Sequence, residues 1–308
     1  MKPIFIVFLV LLMCPLFAQQ QAPFTLRRDA GSILNPAAEF QNYFRDEFFN
    51  ARINLAHRRQ WIGTEDAPQT QIGNFDYYPE YKNHGFGVHI FNRKTGAIAR
   101  SEVRGTFRYR LKIDRKQSLN AGLSVGVNQY RIKPAGIRFA EPGDLIRGGE
   151  NLTDISPTVG FGMQYKFKNR FYAGLSAPYL LVTRYTFQNT DKALTISNIS
   201  DFVSDAGVVF YLNNYESSFL QISNKTGYTP GLPLLSVFNF RYQHDDLFWI
   251  GAGINTVLTT NLEAGIIIGR YGDRRLQIGA AYDYSFQPDV VFLGNSAEVN
   301  LTWIWGAN

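Results

Sequence analysis

Apolar and polar residues alternate strictly along several segments of the chain. Between 102 and 112, Val103 and Phe107 share one face of an extended strand, while Arg104 and Arg108 share the other. The same alternation returns in three further segments: 119–128, 275–284 and 298–305. No helix separates apolar from polar residues in this way. The pattern predicts β-strands that have one face in an apolar environment.

Fourteen segments qualify as candidate strands. They are 53–61, 69–77, 84–91, 100–112, 119–131, 157–167, 171–178, 203–211, 219–227, 234–242, 247–255, 262–270, 275–284 and 297–305. Most have the length of about 9–11 residues that a tilted strand needs to cross a bilayer. The expected fold is therefore all-β, a transmembrane antiparallel β-barrel of about fourteen strands.

The connections between these strands differ in length. Tight turns follow even-numbered strands, at 168–170, 213–216, 244–246 and 271–274, whereas longer connections follow odd-numbered strands, at 132–156, 179–202 and 285–296. Bacterial outer-membrane barrels have short periplasmic turns and longer extracellular loops. We therefore expect an outer-membrane barrel with both termini in the periplasm. The alternative is a soluble β-sandwich or barrel, which also alternates but needs no such loop asymmetry.

The composition agrees with a barrel. Aromatic residues make up 15% of the chain and there are 27 glycines, while the mean hydropathy is −0.17. A lipid-facing apolar side and a polar lumen cancel in such an average. The segments after the N-terminus contain no run of about 18 uncharged apolar residues, so a membrane protein of this kind must cross as a closed barrel.

The N-terminus reads as a secretory signal peptide. Lys2 precedes an apolar run over 4–13, and Ala18 precedes polar residues. We expect a signal peptide over 1–18, an N-terminal periplasmic segment over 19–50 and a single barrel over 51–308. The only cysteine, Cys14, leaves acylation as a lipoprotein open as an alternative, and the mature chain would contain no disulfide.

A short helix is predicted before the first strand. Asn35 can cap it and Pro36 can open it, and four aromatic residues would then share one face: Phe40, Tyr43, Phe44 and Phe48. This segment could plug the barrel or lie along its periplasmic rim. A segment that leads into the barrel and packs on its wall is the favoured interpretation.

Six motifs occur in order along the chain: 34–37 (LNPA), 58–63 (RRQWIG), 67–70 (APQT), 122–130 (GLSVGVNQY), 169–176 (NRFYAGLS) and 247–251 (LFWIG). Together they resemble the PorP/SprF family of outer-membrane proteins of the type IX secretion system of Bacteroidetes. The pair formed by 58–63 and 67–70 is the most specific of these motifs. The glycine-alternating strands alone are weak signals.

The resemblance implies a role in export or surface attachment of a partner protein. In an SprF-like branch, the partner is a large adhesin recognised by its C-terminal domain, often in gliding motility. In a PorP-like branch, the barrel is a core component linked to periplasmic, peptidoglycan-associated proteins. The sequence leaves both branches open.

An enzyme is not expected. The four histidines are His57, His84, His89 and His244, and His84 and His89 would point to opposite faces of one strand. The glycine-rich pieces lack a phosphate-binding lysine and serine. We expect no catalytic residue, no cofactor, no bound metal and no bound nucleic acid. The sequence offers no candidate serine or histidine for a lipid-modifying barrel enzyme.

Two groups of residues are candidates for function. Arg104, Arg108 and Arg110 would line the lumen and could select an anionic group, although pairing with Glu102 and neighbouring carboxylates is the favoured interpretation. The candidates for binding a secreted partner are six residues near the outer end of the barrel: Arg59, Gln60, Trp61, Arg138, Asp144 and Arg147. The leading hypothesis is a secretion or anchoring component. The alternative is a diffusion channel for small anionic solutes.

Overall fold

The computed structural model describes most of the chain. The described residues are 31–38, 49–79, 82–133, 152–168, 170–181, 183–189, 192–198, 201–269, 274–286 and 294–306. They contain one short helix, α1 (Gly31–Leu34), and sixteen strands. The strands are β1 (Phe49–Arg59), β2 (Gln69–Tyr77), β3 (His84–Thr95), β4 (Ile98–Lys112), β5 (Gln117–Ile132), β6 (Leu152–Phe167), β7 (Phe171–Ala177), β8 (Thr183–Asn189), β9 (Lys192–Asn198), β10 (Phe202–Tyr211), β11 (Phe219–Tyr228), β12 (Leu235–His244), β13 (Phe248–Asn255), β14 (Thr259–Ile268), β15 (Arg274–Ser285) and β16 (Ser296–Gly306).

Fourteen of these strands form a closed antiparallel barrel. Strands β1 to β7 are followed around the wall by β10 to β16, and β16 pairs with β1 along most of its length. Closure satisfies the backbone hydrogen bonds of every wall strand within the sheet, which is what a membrane-spanning sheet requires. Each of the fourteen segments predicted from the sequence corresponds to one wall strand, so the predicted strand number and fold class are confirmed.

The two faces of the wall have opposite chemistry. On β4, Val103 and Phe107 are 49% and 46% exposed, whereas Arg104 and Arg108 are 2% and 1% exposed. A soluble barrel would bury its apolar face in a core, but here the apolar residues point outward. The outward face is the lipid-facing band of a membrane barrel. No helix among the described residues is long and apolar enough to cross a bilayer.

The two ends of the barrel carry different connections. The terminal rim is the end at which β1 begins and β16 ends, and its connections are 78–83, 113–116, 168–170, 212–218, 245–247 and 269–273. The loop rim is the opposite end, and its connections are 60–68, 96–97, 133–151, 178–201, 229–234, 256–258 and 286–295. The two longest connections of the loop rim, 133–151 and 178–201, lie on either side of the pair β6 and β7.

A hairpin inside the connection 178–201 was not predicted. Strands β8 and β9 pair with each other and form a separate two-stranded sheet. The local signal was present, because polar and apolar residues alternate over 183–189 and 192–198 and a short polar turn separates them. The hairpin was not predicted because the long connection was interpreted as a loop on the basis of its length.

The predicted helix after Asn35 stays a prediction. The described helix α1 ends at Leu34, before Asn35, and residues 36–37 form a turn. Residues 39–48, which carry the four aromatic positions of the predicted helix, lie outside the described residues.

The lipid-facing assignment predicts a position-dependent cost of introducing charge. Val125 is 55% exposed in the middle of the outward face of β5, and Val125→Arg should lower the free energy of unfolding by about 2–4 kcal/mol. Gln129→Arg, two outward positions farther along β5, should change it by about 0–1 kcal/mol, because that position lies nearer the interface. Denaturant unfolding of the barrel in lipid vesicles measures both. Equal costs at the two positions would contradict the assignment.

Candidate functional site in the barrel lumen

The N-terminal segment 31–38 crosses the inside of the barrel. Ile33 packs against Ala56 of β1 and Ile72 of β2, both of which face inward. Two residues later, Asn35 contacts β6 and β10, on a different part of the wall. The segment therefore spans the lumen between these strands. Its residues were assigned from the sequence to the N-terminal segment 19–50.

Asn35 anchors the segment through a buried amide side chain. Its Nδ2 donates a hydrogen bond to Asp205 Oδ1 of β10 at 3.0 Å, and its Oδ1 accepts one from the backbone N–H of Ala37 at 3.0 Å. The second bond forms the local turn that asparagine side chains favour. Because Asn35 is only 1% exposed, each of these bonds replaces water that the amide has lost.

Two wall side chains bind the backbone of the same segment. Arg108 Nε donates to the carbonyl oxygen of Pro36 at 2.8 Å, and Ser176 Oγ donates to the carbonyl oxygen of Leu34 at 2.8 Å. Backbone carbonyls that enter a lumen need such partners, since an unsatisfied buried carbonyl is costly. The wall thus holds residues 34–36 through both backbone and side-chain contacts.

Three glycines form the surface on which the segment rests. A Cβ atom added at Gly122 would overlap the backbone of Pro36, one at Gly162 would overlap Asn35 Oδ1, and one at Gly174 would lie 2.7 Å from Asn35 Nδ2. Any other residue would collide with the segment. These three glycines lie on neighbouring strands, β5, β6 and β7, and we call them the glycine wall.

A buried ion network continues from Arg108 around the lumen. Asp76 accepts hydrogen bonds from Arg108 Nη1 at 2.5 Å and from Arg52 Nη2 at 2.7 Å. Next to it, His89 Nδ1 lies 2.9 Å from Asn74 Oδ1, and Asn74 Nδ2 donates to Asn54 Oδ1 at 3.2 Å. Buried charges of this kind are tolerated only when they are paired. The network joins β1 to β4 on the inner face.

A second element enters the lumen from the loop rim. After β7, the carbonyl oxygen of Pro178 accepts a hydrogen bond from Arg104 Nη1 at 3.0 Å, and Tyr179 Oη donates to Glu102 Oε2 at 3.0 Å. The guanidinium groups of Arg100 and Arg104 lie 4.8 and 5.1 Å from the centre of the Tyr179 ring. Pro178 and Tyr179 therefore fold inward against β4, nearer the loop rim than the segment 31–38.

The hairpin β8–β9 extends this second element. Tyr185 of β8 is fully buried, and its ring lies 4.7 Å from the ring of Tyr130, an inward-facing residue of β5. The lumen thus contains 31–38 on one level and Pro178, Tyr179 and Tyr185 on the next.

The predicted lumen-lining arginines lie on the inner face of β4. Arg104 and Arg108 are buried and bind Glu102 and Asp76 respectively, with Arg104 Nη2 lying 2.7 Å from Glu102 Oε1. Arg110 is half-buried on the same face, nearer the terminal rim. The charges of Arg104 and Arg108 are therefore balanced by carboxylates within the wall. A role for these arginines in selecting anions stays a prediction.

Three of the predicted partner-binding residues lie at the loop rim. Arg59 is exposed on the outer face, and Gln60 and Trp61 are half-buried in the connection 60–68. Trp61 has a positive φ of 50°, and its backbone N–H donates to Ser296 Oγ at 3.4 Å, which ties this connection to β16. The other three, Arg138, Asp144 and Arg147, lie outside the described residues. Partner binding by these six residues stays a prediction.

Sequence reasoning missed the carboxylates that organise the lumen. Asp76 and Asp205 each stand at an inward position of a strand whose outward neighbours are apolar or small. The same period of two that identified the strands also marks these positions, because an acid on the inner face needs a partner. The partner of each carboxylate is a residue far away in the chain, so the local pattern does not identify it.

The glycine wall predicts a substitution that displaces the segment. Gly162→Val should accelerate amide hydrogen exchange in residues 31–38 by at least about tenfold, because its side chain must overlap Asn35. Gly227→Val is the matched control, since nothing lies within 4 Å of a Cβ at Gly227. Hydrogen–deuterium exchange with mass spectrometry measures both variants. Unchanged exchange in Gly162→Val would show that the segment does not rest on this glycine.

Solved structures share the architecture. The chain is similar to the CymD monoaromatic hydrocarbon channel at 11% identity, covering 91% of this chain and 93% of that one, with a TM-score of 0.57. It is also similar to the Ralstonia pickettii toluene transporter TbuX at 11% identity, covering 89% of this chain and 92% of that one, with a TM-score of 0.51. At this identity the likeness shows the fold alone. No curated protein matches the chain.

The sequence itself carries a family match. The model of the family described as "Type IX secretion system membrane protein PorP/SprF" matches residues 17–303, which is nearly the whole chain. The motifs 34–37 and 122–130, by which the sequence resembles this family, meet in the structure where Pro36 rests on Gly122. The chain therefore belongs to the PorP/SprF family of type IX secretion system membrane proteins.

Proposed function

We propose that this barrel supports export or cell-surface anchoring of an adhesin-type partner, which it binds through the C-terminal domain of that partner. One observation carries the proposal: 31–38, Pro178, Tyr179 and Tyr185 lie inside the lumen, which leaves the two rims as the more accessible surfaces for a partner. A role in gliding motility would follow if the partner is a motility adhesin.

The occupied lumen suits a scaffold better than a channel. Arg104 and Arg108 are held by Glu102 and Asp76, and Arg108 also binds the segment 31–38. A selective pore needs charges that a passing ion can contact. The alternative, a diffusion channel for small anionic solutes, would require these contacts to open.

The proposed orientation places the loop rim at the cell surface. Bacterial barrels direct their longer connections outward and their tight turns to the periplasm. The terminal rim, where β1 begins and β16 ends, would then face the periplasm. This orientation agrees with a signal peptide over 1–18 and with an N-terminal segment 19–50 in the periplasm, of which residues 31–38 lie in the lumen.

The two rims would bind different partners. The connections 60–68 and 133–151 at the loop rim would bind the exported protein, through Trp61 and through Arg138, Asp144 and Arg147. The terminal rim would bind other type IX components, including periplasmic, peptidoglycan-associated proteins. Binding of one exported partner would identify an SprF-like anchor, whereas binding of periplasmic secretion components alone would identify a PorP-like core component.

Replacing one loop tests the proposal. Ile132 and Leu152 are direct partners across β5 and β6, so a short Gly-Ser linker can join them without altering the barrel. A chain in which 133–151 is replaced in this way should lose surface display of one exported protein, while other secreted proteins remain normal. Surface labelling followed by mass spectrometry measures display. Normal display of every exported protein would contradict a role for this loop.

A point variant provides an independent measurement at the neighbouring loop. Trp61→Asn removes the indole and keeps a residue that tolerates the positive φ of this position. It should reduce recovery of the exported partner in a pull-down from the outer membrane by several-fold. Tyr215→Asn removes a 72% exposed aromatic residue from the terminal rim and should leave that recovery unchanged.

A further inference from the structure

Three exposed cations form a row on the outer face of the barrel at the loop rim. They are Arg59 of β1, Lys94 of β3 and Arg131 of β5. The strand register places them in one row. Arg59 pairs with Gln69 of β2, which pairs with Lys94. Lys94 pairs with Ala99 of β4, which pairs with Arg131. One hydrogen-bonded row across five adjacent strands therefore presents a cation on every second strand. We call it the cation row.

The cation row lies just beyond the lipid-facing band. On each of the three strands the outward residues follow one order toward the loop rim: an exposed apolar residue, a polar residue, then the cation. The three series are Leu55, His57 and Arg59; Ile90, Asn92 and Lys94; and Val127, Gln129 and Arg131. Because each cation follows an exposed apolar residue and one polar residue, the cation row lies where the lipid-facing band gives way to lipid headgroups.

The cations are confined to one side of the barrel. On the described parts of β10 to β16, the outward residues near the loop rim include no lysine or arginine. Representative residues there are Phe202, Tyr228, Ile254 and Tyr284. A general requirement for positive charge at the membrane boundary would distribute cations around the whole barrel. The one-sided distribution indicates a specific site.

The three side chains are available to an external anion. Within the described part of the chain, no carboxylate lies within 4.0 Å of Arg59, Lys94 or Arg131, and Arg131 makes one side-chain hydrogen bond, from Nη2 to Gln129 Oε1 at 3.4 Å. Strands in a sheet lie about 4.8 Å apart, so consecutive cations are separated by about 10 Å. The intervening Gln69 and Ala99 are uncharged and leave space between them.

We propose that the cation row binds the phosphate groups of phosphorylated glycolipid headgroups in the outer leaflet. Arginine forks match phosphate oxygens in two-point contacts, and lysine adds a point charge. The acyl chains of such a lipid would lie on Leu55, Ile90 and Val127 directly below. Phosphate binding follows from the row itself. The assignment to the outer leaflet rests on the orientation proposed above.

Native mass spectrometry of the full chain in mild detergent tests the inference. The probes are diphosphoryl lipid A, its dephosphorylated form and phosphatidylglycerol. The wild-type barrel should retain diphosphoryl lipid A in preference to the other two, and the variant R59Q/K94Q/R131Q should retain at least about tenfold less of it. The matched control is R115Q/K116Q/K168Q, which removes the same charge from turns of the terminal rim and should retain lipid A as the wild type does. Heat-dependent gel mobility verifies that each variant is folded.

Three outcomes would overturn the inference. The first is that the wild type and R59Q/K94Q/R131Q retain equal amounts of diphosphoryl lipid A. The second is that the wild type retains the dephosphorylated lipid as well as diphosphoryl lipid A. The third is that the wild type prefers phosphatidylglycerol, which would contradict an outer-leaflet glycolipid. The proposed function fails separately. A pull-down that recovers no exported protein, from a barrel that still retains lipid A, would count against partner binding and leave the cation row in place.

Discussion

The turn at Asn35 and Pro36, resting on the glycine wall, is the contact on which the interior of the barrel depends. A chain segment that enters a lumen brings backbone groups and side chains that must find partners there. Arg108, Ser176 and Asp205 provide these partners, and Gly122 and Gly162 let the backbone approach closely enough to use them. Because Arg108 also binds Asp76, the same arginine joins the segment to the ion network of the wall.

The residues that stabilise the barrel and the residues proposed to bind other molecules lie on different surfaces. The inner face of β1 to β4 contains paired charges and hydrogen-bonded amides, and Arg104, Arg108 and Glu102 also bind the two inserted segments. The outer face is apolar across the bilayer and carries the cation row at one edge. The loop rim carries the two longest connections, on either side of β6 and β7. A barrel with long connections at one rim suits the proposed role, in which that rim holds an exported partner.

The fold was predictable from the sequence because its signal is local. A period of two identifies each wall strand, and the lengths of the connections separate the two rims. The lumen was not predictable in the same way. Asn35 and Asp205 are far apart in the chain, and neither residue indicates the other. The hairpin β8–β9 was missed for a different reason. Its alternation is visible over 183–198, but the length of the connection favoured its interpretation as a loop. The roles of Gly122 and Gly162 depend on contacts with a distant segment, and a glycine in a strand can equally mark a bulge or a bend.

Residues 31–38 and the chain after β7 lie inside the barrel and obstruct its lumen. Single-molecule conductance of the purified full chain in a planar lipid bilayer tests this claim most directly. An obstructed lumen predicts insertion without stable openings, because 31–38, Pro178, Tyr179 and Tyr185 all lie inside it. Stable, anion-selective openings of the unaltered protein would contradict the claim and would favour a diffusion channel.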